Sequence, residues 1–93
     1  MAKARARHIL VAKQERAEEL KQRIEGGESF AEVAKQYSLC PSGKQGGDLG
    51  EFSPGEMVPE FDKVVFSAEV GTVQGPVQTQ FGQHLILVEE RSE

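Results

Sequence analysis

The chain has 93 residues, 38% of them apolar and 28% charged, with a formal net charge of −4 and a single cysteine. That length holds one core and one shallow site, which excludes a second catalytic domain and gives one domain over residues 1–93. The acidic balance argues against general nucleic-acid binding, which needs a clustered basic surface. The lone cysteine excludes an internal disulfide framework and any CxxC redox or zinc motif.

No run approaches the roughly 20 apolar residues of a membrane span. The start, Met1 to Arg7, is basic, but only Ile9 to Ala12 follow as an apolar run, too short for a secretory signal. The expectation is a soluble, cytoplasmic, monomeric protein without membrane contact, with an excised domain of a longer exported protein left open. Lys3, Arg5 and Arg7 alternate and so share one face of a strand. The plain reading is a solvated sheet edge kept from pairing by charge.

Arg5 to Val11, with His8-Ile9-Leu10-Val11 at its centre, reads as a first strand. Lys13 to Glu25 changes to a helical period, with Ala17, Leu20 and Ile24 on one face, and Gly26-Gly27 stops it. Ser29 is an N-cap for a second helix, with Glu32 completing a capping box and Phe30, Val33, Ala34 and Tyr37 as the buried stripe. Residues 40–55 break the pattern with five glycines and two prolines, and Asp48 to Phe52 within them form a short strand. Pro59 opens a short helix over Glu60 to Ser67 with Phe61, Val64 and Val65 on one side. Val73 to Thr79 and His84 to Glu90 are strands joined by the hairpin Gln80-Phe81-Gly82-Gln83. This order predicts an α+β domain with a small, mostly antiparallel sheet flanked by helices.

The stretch Ser42 to Gly50 invites a phosphate-loop reading, but it fits neither GxxxxGK[ST] nor GxGxxG and follows a helix. Positive-φ turns that carry the chain tightly over the sheet are the stronger reading. His8, Cys40 and His84 could meet as metal ligands, yet no two lie closer than 32 positions, whereas structural zinc sites usually include a close pair. Cys40 with a histidine base could be a nucleophile, although a lone cysteine in a small domain is more often an apolar filler. Both histidines fall on strand faces, His8 with Ala6 and Leu10, His84 with Ile86 and Val88, where satisfied core histidines are the default. Met57, Phe61 and Phe81 read first as core or half-buried apolar residues.

The segments Ala6 to Val11, Phe30 to Ser38, Ser42 to Phe52, Met57 to Phe61 and Phe81 to Ile86 together resemble the parvulin family of peptidyl-prolyl cis/trans isomerases. They run in order over essentially the whole chain and look closest to small single-domain bacterial parvulins of the rotamase C type. The resemblance implies a four-stranded antiparallel sheet surrounded by helices, in the FKBP-like superfold. It also implies isomerisation of X–Pro bonds in unfolded or flexible polypeptides without metal, nucleotide or other cofactor. Carried over, Met57 and Phe61 form the proline pocket, Leu49 its wall and Phe81 its rim. His8 and His84 are the paired inner histidines, supported by Thr79, and Cys40 lies beside the rotating amide. Family members carry Cys or Asp at the Cys40 position, so a hydrogen-bonding or electrostatic role is expected there. The phosphorylation-directed branch inserts a basic loop after the first strand. Here only Ala12 and Lys13 separate strand from helix, so no phosphate requirement is expected. The competing reading is a non-catalytic peptide-binding or chaperone module.

Overall fold

A computed structural model describes residues 3–92; Met1, Ala2 and Glu93, which the readings of the amino terminus and of the domain bounds included, lie outside them. The chain runs β1 (Lys3–Val11), α1 (Gln14–Glu25), α2 (Phe30–Tyr37), a 3-10 turn (Pro41–Gln45), β2 (Asp48–Phe52), α3 (Pro59–Val65), β3 (Val73–Thr79) and β4 (Gly82–Ser92). The four strands form one antiparallel sheet in the order β2-β1-β4-β3. The helices cover both faces, and the pleat decides which residue goes where.

On one face Ile9, Val11 and Leu85 meet Ala17 and Leu20 of α1 and Phe30, Val33 and Ala34 of α2. On the other, Ala4, Ala6, Ile86 and Val88 meet Phe52 of β2 and Phe61 and Val65 of α3. His8 and His84 belong to this second face, next to Ala6 and Ile86, as the alternation requires. Together the two layers bury every large aliphatic side chain of the central strands β1 and β4 except Leu10 and Leu87, which stay half-buried.

Local signals account for most boundaries. After α1, the Gly27 backbone turns to φ 118° and Glu28 N–H closes on Arg23 C=O at 3.1 Å. Ser29 Oγ accepts the Glu32 N–H at 3.4 Å, but the Glu32 carboxylate faces Lys35, so only half of the expected capping box forms. Pro59 starts α3, which ends at Val65, two residues short of the expected Ser67.

Two expectations are corrected. β1 is an inner strand, so Lys3, Arg5 and Arg7 do not guard an edge. Their charges instead pair with Glu51, Asp48 and Glu89 of the neighbouring strands at 3.4, 3.6 and 3.2 Å. The hairpin turn is shorter than expected: Thr79 pairs with Gly82, leaving only Gln80 and Phe81 outside the ladder. Gly82, at φ 140°, is what lets the strand begin so early.

Candidate active site

The site is built where β1 and β4 run side by side. Leu10 pairs with His84 and His8 with Ile86, so the two imidazoles are diagonal neighbours on one face. Their rings stack at 16° with Nδ1 facing Nδ1 at 3.1 Å. Phe61 of α3 stands edge-on to both, at centroid distances of 5.7 and 6.0 Å. Both histidines are buried, at 6% and 5% exposure.

Every ring nitrogen of the pair has a partner. His8 Nε2 lies 3.1 Å from Ser42 Oγ, and His84 Nε2 lies 2.7 Å from Thr79 Oγ1. The ends of the chain fix the direction of its protons. Phe81 N–H donates to Thr79 Oγ1 at 3.1 Å, and Ser42 O–H donates to Cys40 Sγ at 3.4 Å. Ser42, its proton committed, must accept from His8 Nε2–H, so His8 Nδ1 accepts from His84 Nδ1–H. His84 Nε2 then accepts from the Thr79 hydroxyl. A single polarised line runs from the Phe81 backbone to the Cys40 sulfur, with both rings neutral. A further proton on His8 Nδ1 would meet the His84 Nδ1–H, and one on His84 Nε2 would force the Thr79 hydroxyl to turn its own proton away. Burial, and then the neighbouring His84, lower the His8 pKa from 6.5 to about 4; burial lowers that of His84 as well.

Above this base opens an apolar cleft of about 360 Å³. Met57, Phe61 and Leu49 wall it on one side, Cys40 and Pro41 on another, with Phe81 at the mouth. Two large apolar side chains stand exposed at its rim, Leu39 at 66% and Phe81 at 61%. Seven of the eight residues singled out from the sequence therefore line one cleft: His8, Cys40, Leu49, Met57, Phe61, Phe81 and His84. Thr79, the eighth, lies behind it on His84.

The glycine-rich stretch earns its glycines by close approach to β1, not by cradling phosphate. Gly47 sits at φ 81°, its carbonyl accepts the His8 N–H at 3.0 Å, and a Cβ there would run into the His8 carbonyl oxygen. Its own N–H donates to Ser42 C=O at 2.9 Å, which folds the 3-10 turn back over His8. Ser38 fixes the other end, its hydroxyl oxygen accepting from Leu10 N–H and from Cys40 N–H at 3.1 and 3.3 Å.

The sequence reading missed Ser42, Leu39, Leu10, Pro41 and Val58. Ser42 had a usable signal, a hydroxyl two residues from Cys40 inside a turn; the others carry no chemical mark. The histidines and Cys40 do converge, as a metal site would need, but each imidazole nitrogen already faces a hydrogen-bonding partner. Nor does a histidine touch Cys40 directly, because Ser42 stands between them.

A four-stranded antiparallel sheet with a mutually bonded histidine pair beneath an apolar cleft places this protein among the parvulin-type prolyl isomerases. The family model of the PPIC-type PPIase (rotamase) domain matches residues 3–90. The chain is 49% identical over 92 residues to the foldase protein PrsA of Geobacillus sp., covering 98% of the chain and 33% of that relative. The crystal structure of the peptidylprolyl isomerase PrsA from Bacillus anthracis superimposes with a TM-score of 0.95 at 38% identity, over 99% of the chain and 43% of that one. The Pin protein of Cenarcheaum symbiosum superimposes at 0.86 with 39% identity, over 95% and 92% of the two chains. The chain belongs to the PPIC-type peptidyl-prolyl isomerase domain family and is an isomerase domain of parvulin type. It spans about a third of the length of the Geobacillus relative.

Proposed function

We propose that the cleft binds the proline ring of an unfolded or flexible polypeptide and accelerates rotation about the X–Pro bond without forming a bond to it. The observation that carries the reading is the apolar cleft based on Phe61 and the neutral histidine pair. A planar X–Pro amide resists rotation because resonance stiffens its C–N bond, and exchange takes tens to hundreds of seconds. The twisted amide has lost that resonance and much of its polarity, so a dry apolar wall favours it over the planar form. A thousandfold acceleration needs only about 4 kcal/mol of such preference.

In this reading Met57, Phe61 and Leu49 hold the ring, and Phe81 covers it from the rim. His8, His84 and Thr79 keep the base rigid and neutral. Cys40, its sulfur supported by the Ser42 hydroxyl, lies beside the amide as a polarisable hydrogen-bonding group. Rotation alone completes the reaction, so no covalent adduct is required.

Phosphate plays no part in recognition here. Only Ala12 and Lys13 separate β1 from α1, and Arg16 is engaged by Glu19 at 3.1 Å and by the Tyr37 ring at 5.5 Å. An arginine cluster able to grip a phosphate in two-point fashion is missing from this loop. We take residues 1–93 as one domain that acts as a monomeric folding helper on proline-containing segments. The cytoplasmic setting expected from the amino-terminal sequence gains no support from the relatives.

A protease-coupled isomerisation assay on short X–Pro peptides, run with intact protein and with Met57→Ala, checks the reading. Catalysed exchange that falls in a folded Met57→Ala protein is the expected result. Peptides that bind yet exchange at the uncatalysed rate would establish the binding-module alternative instead.

A further inference from the structure

We propose that Arg7 is a positioning residue of the isomerase site, clamping the turn that holds Ser42 and Cys40 over His8. The inference rests on the functional reading above, since it assigns Arg7 to that same site. Arg7 precedes His8 on β1, so its side chain leaves by the opposite face of the sheet, away from the cleft. There its guanidinium makes three contacts at once. Nη1 donates to Gly46 C=O at 3.1 Å and reaches Gln45 C=O at 3.5 Å, while Nε pairs with Glu89 Oε2 at 3.2 Å.

Two irregularities in the fold make room for this clamp. The β1–β4 register shifts between Arg5 and Ala6, whose partners are Glu90 and Val88, so Glu89 falls outside the ladder and its carboxylate can turn to Arg7. Gly46 adopts φ 72°, and a Cβ there would lie 2.7 Å from Arg7 Nη1. The same Cβ would also lie 2.8 Å from the Ala31 Cβ, so glycine at this left-handed position leaves the space the guanidinium uses to reach the carbonyl.

From Gly46 the path to the chemistry is short. The next residue, Gly47, donates its N–H to Ser42 C=O and accepts from His8 N–H. Ser42 Oγ then meets His8 Nε2 and Cys40 Sγ. Among the described residues, no other side chain hydrogen-bonds the backbone of residues 41–47. Among the described residues, the rigid fork of Arg7 is thus the one side-chain tie on the backbone of the segment that closes the polarised line at its Cys40 end.

The experiment uses the full chain with Arg7→Met, which keeps the apolar stem and loses the fork, together with Arg7→Lys, Ser42→Ala and the double variant Arg7→Met/Ser42→Ala. Turnover of a short X–Pro peptide and the imidazole 15N resonances of His8 are read in parallel. Misplacing a reacting group by about 1 Å can lower turnover by about a hundredfold. Arg7→Met should lower kcat about tenfold or more with KM little changed, and Arg7→Lys should recover part of the loss. The double variant should be no worse than Ser42→Ala, because both changes act through one element. The His8 Nε2 resonance of Arg7→Met should move toward that of Ser42→Ala. Wild-type turnover in Arg7→Met, effects that multiply in the double variant, or an unmoved His8 resonance would each overturn the proposal. If Arg7→Met does not fold, Arg7→Lys carries the same judgement through its His8 resonance. The resonance reports on the clamp even where no isomerisation is found, which separates its failure from failure of the functional reading.

Discussion

Acidification should weaken the fold through His8, and the amount follows from the site. His8 binds a proton near pH 6.5 when unfolded but only near pH 4 when folded, because burial and then the neighbouring His84 disfavour its charged form. The neutral ring is the one the folded state prefers, so the stability is whole above pH 6.5. It is lost as the pH falls toward 4, and no more is lost through this group below that. At about 1.4 kcal/mol for each tenfold in proton affinity, the full loss is about 3 kcal/mol, of which about 2 kcal/mol is gone by pH 5. His84 is shifted in the same direction and adds to it. Small domains are held by only about 5–15 kcal/mol in all, so the effect is large enough to measure. Urea unfolding followed by circular dichroism at pH 7 and pH 5 gives the wild-type loss. The same pair of measurements on His8→Leu removes the group and leaves the carboxylates in common. The difference between the two proteins should be about 2 kcal/mol. An equal loss in both, or a folded His8 imidazole titrating near 6.5, would refute the argument.

Removal of apolar surface from the cleft should separate stability from turnover. Met57 is half-buried at the cleft wall, so Met57→Ala should lower kcat/KM by about ten- to hundredfold, as expected for about 1–3 kcal/mol of lost contact, while circular dichroism stays native. Phe61 is 3% exposed and packs on both histidines, so Phe61→Ala should also destabilise by about 3–5 kcal/mol, read as a lower urea midpoint. Gly47→Ala should unfold or strongly destabilise the chain, because its Cβ meets the His8 carbonyl and its φ is positive; a native melting curve would contradict that geometry. Peptides with phosphoserine before proline should be turned over no faster than peptides with serine there, measured in one assay at matched concentration.

Elements whose pattern is local were legible in the sequence; contacts across the sheet were not. The α1 stripe, the β2 and β3 limits and the Ser29 cap follow from spacing and turn residues within a few positions of each other. The place of β1 inside the sheet does not, because it depends on Asp48 and Glu51 of β2 and Glu89 of β4 arriving from far along the chain to neutralise its cations. Gln80-Phe81-Gly82-Gln83 looked like a four-residue loop, since nothing in those letters says that Gly82 joins the ladder. Within the site, His8, His84, Met57 and Phe61 stand out by residue type and by family resemblance. Arg7 does not, and Ser42 is marked only by standing two residues from Cys40; both act through a turn that only the folded chain brings against β1. Leu39 shows the limit from the other side: nothing in the sequence marks this apolar residue beyond α2, yet it stands exposed at the cleft rim.

The central claim is that the amide rotates in this cleft without covalent attachment to Cys40. The most direct measurement is kcat/KM for Cys40→Asp and Cys40→Ala between pH 6 and 9, by exchange NMR on a short X–Pro peptide, with circular dichroism to establish folding. An aspartate at this position keeps an acceptor for the Ser42 hydroxyl beside the amide. Substantial activity in Cys40→Asp and less in Cys40→Ala, both folded, is the predicted result. A folded but inactive Cys40→Asp, together with a wild-type rate that rises as thiolate forms, would contradict the account.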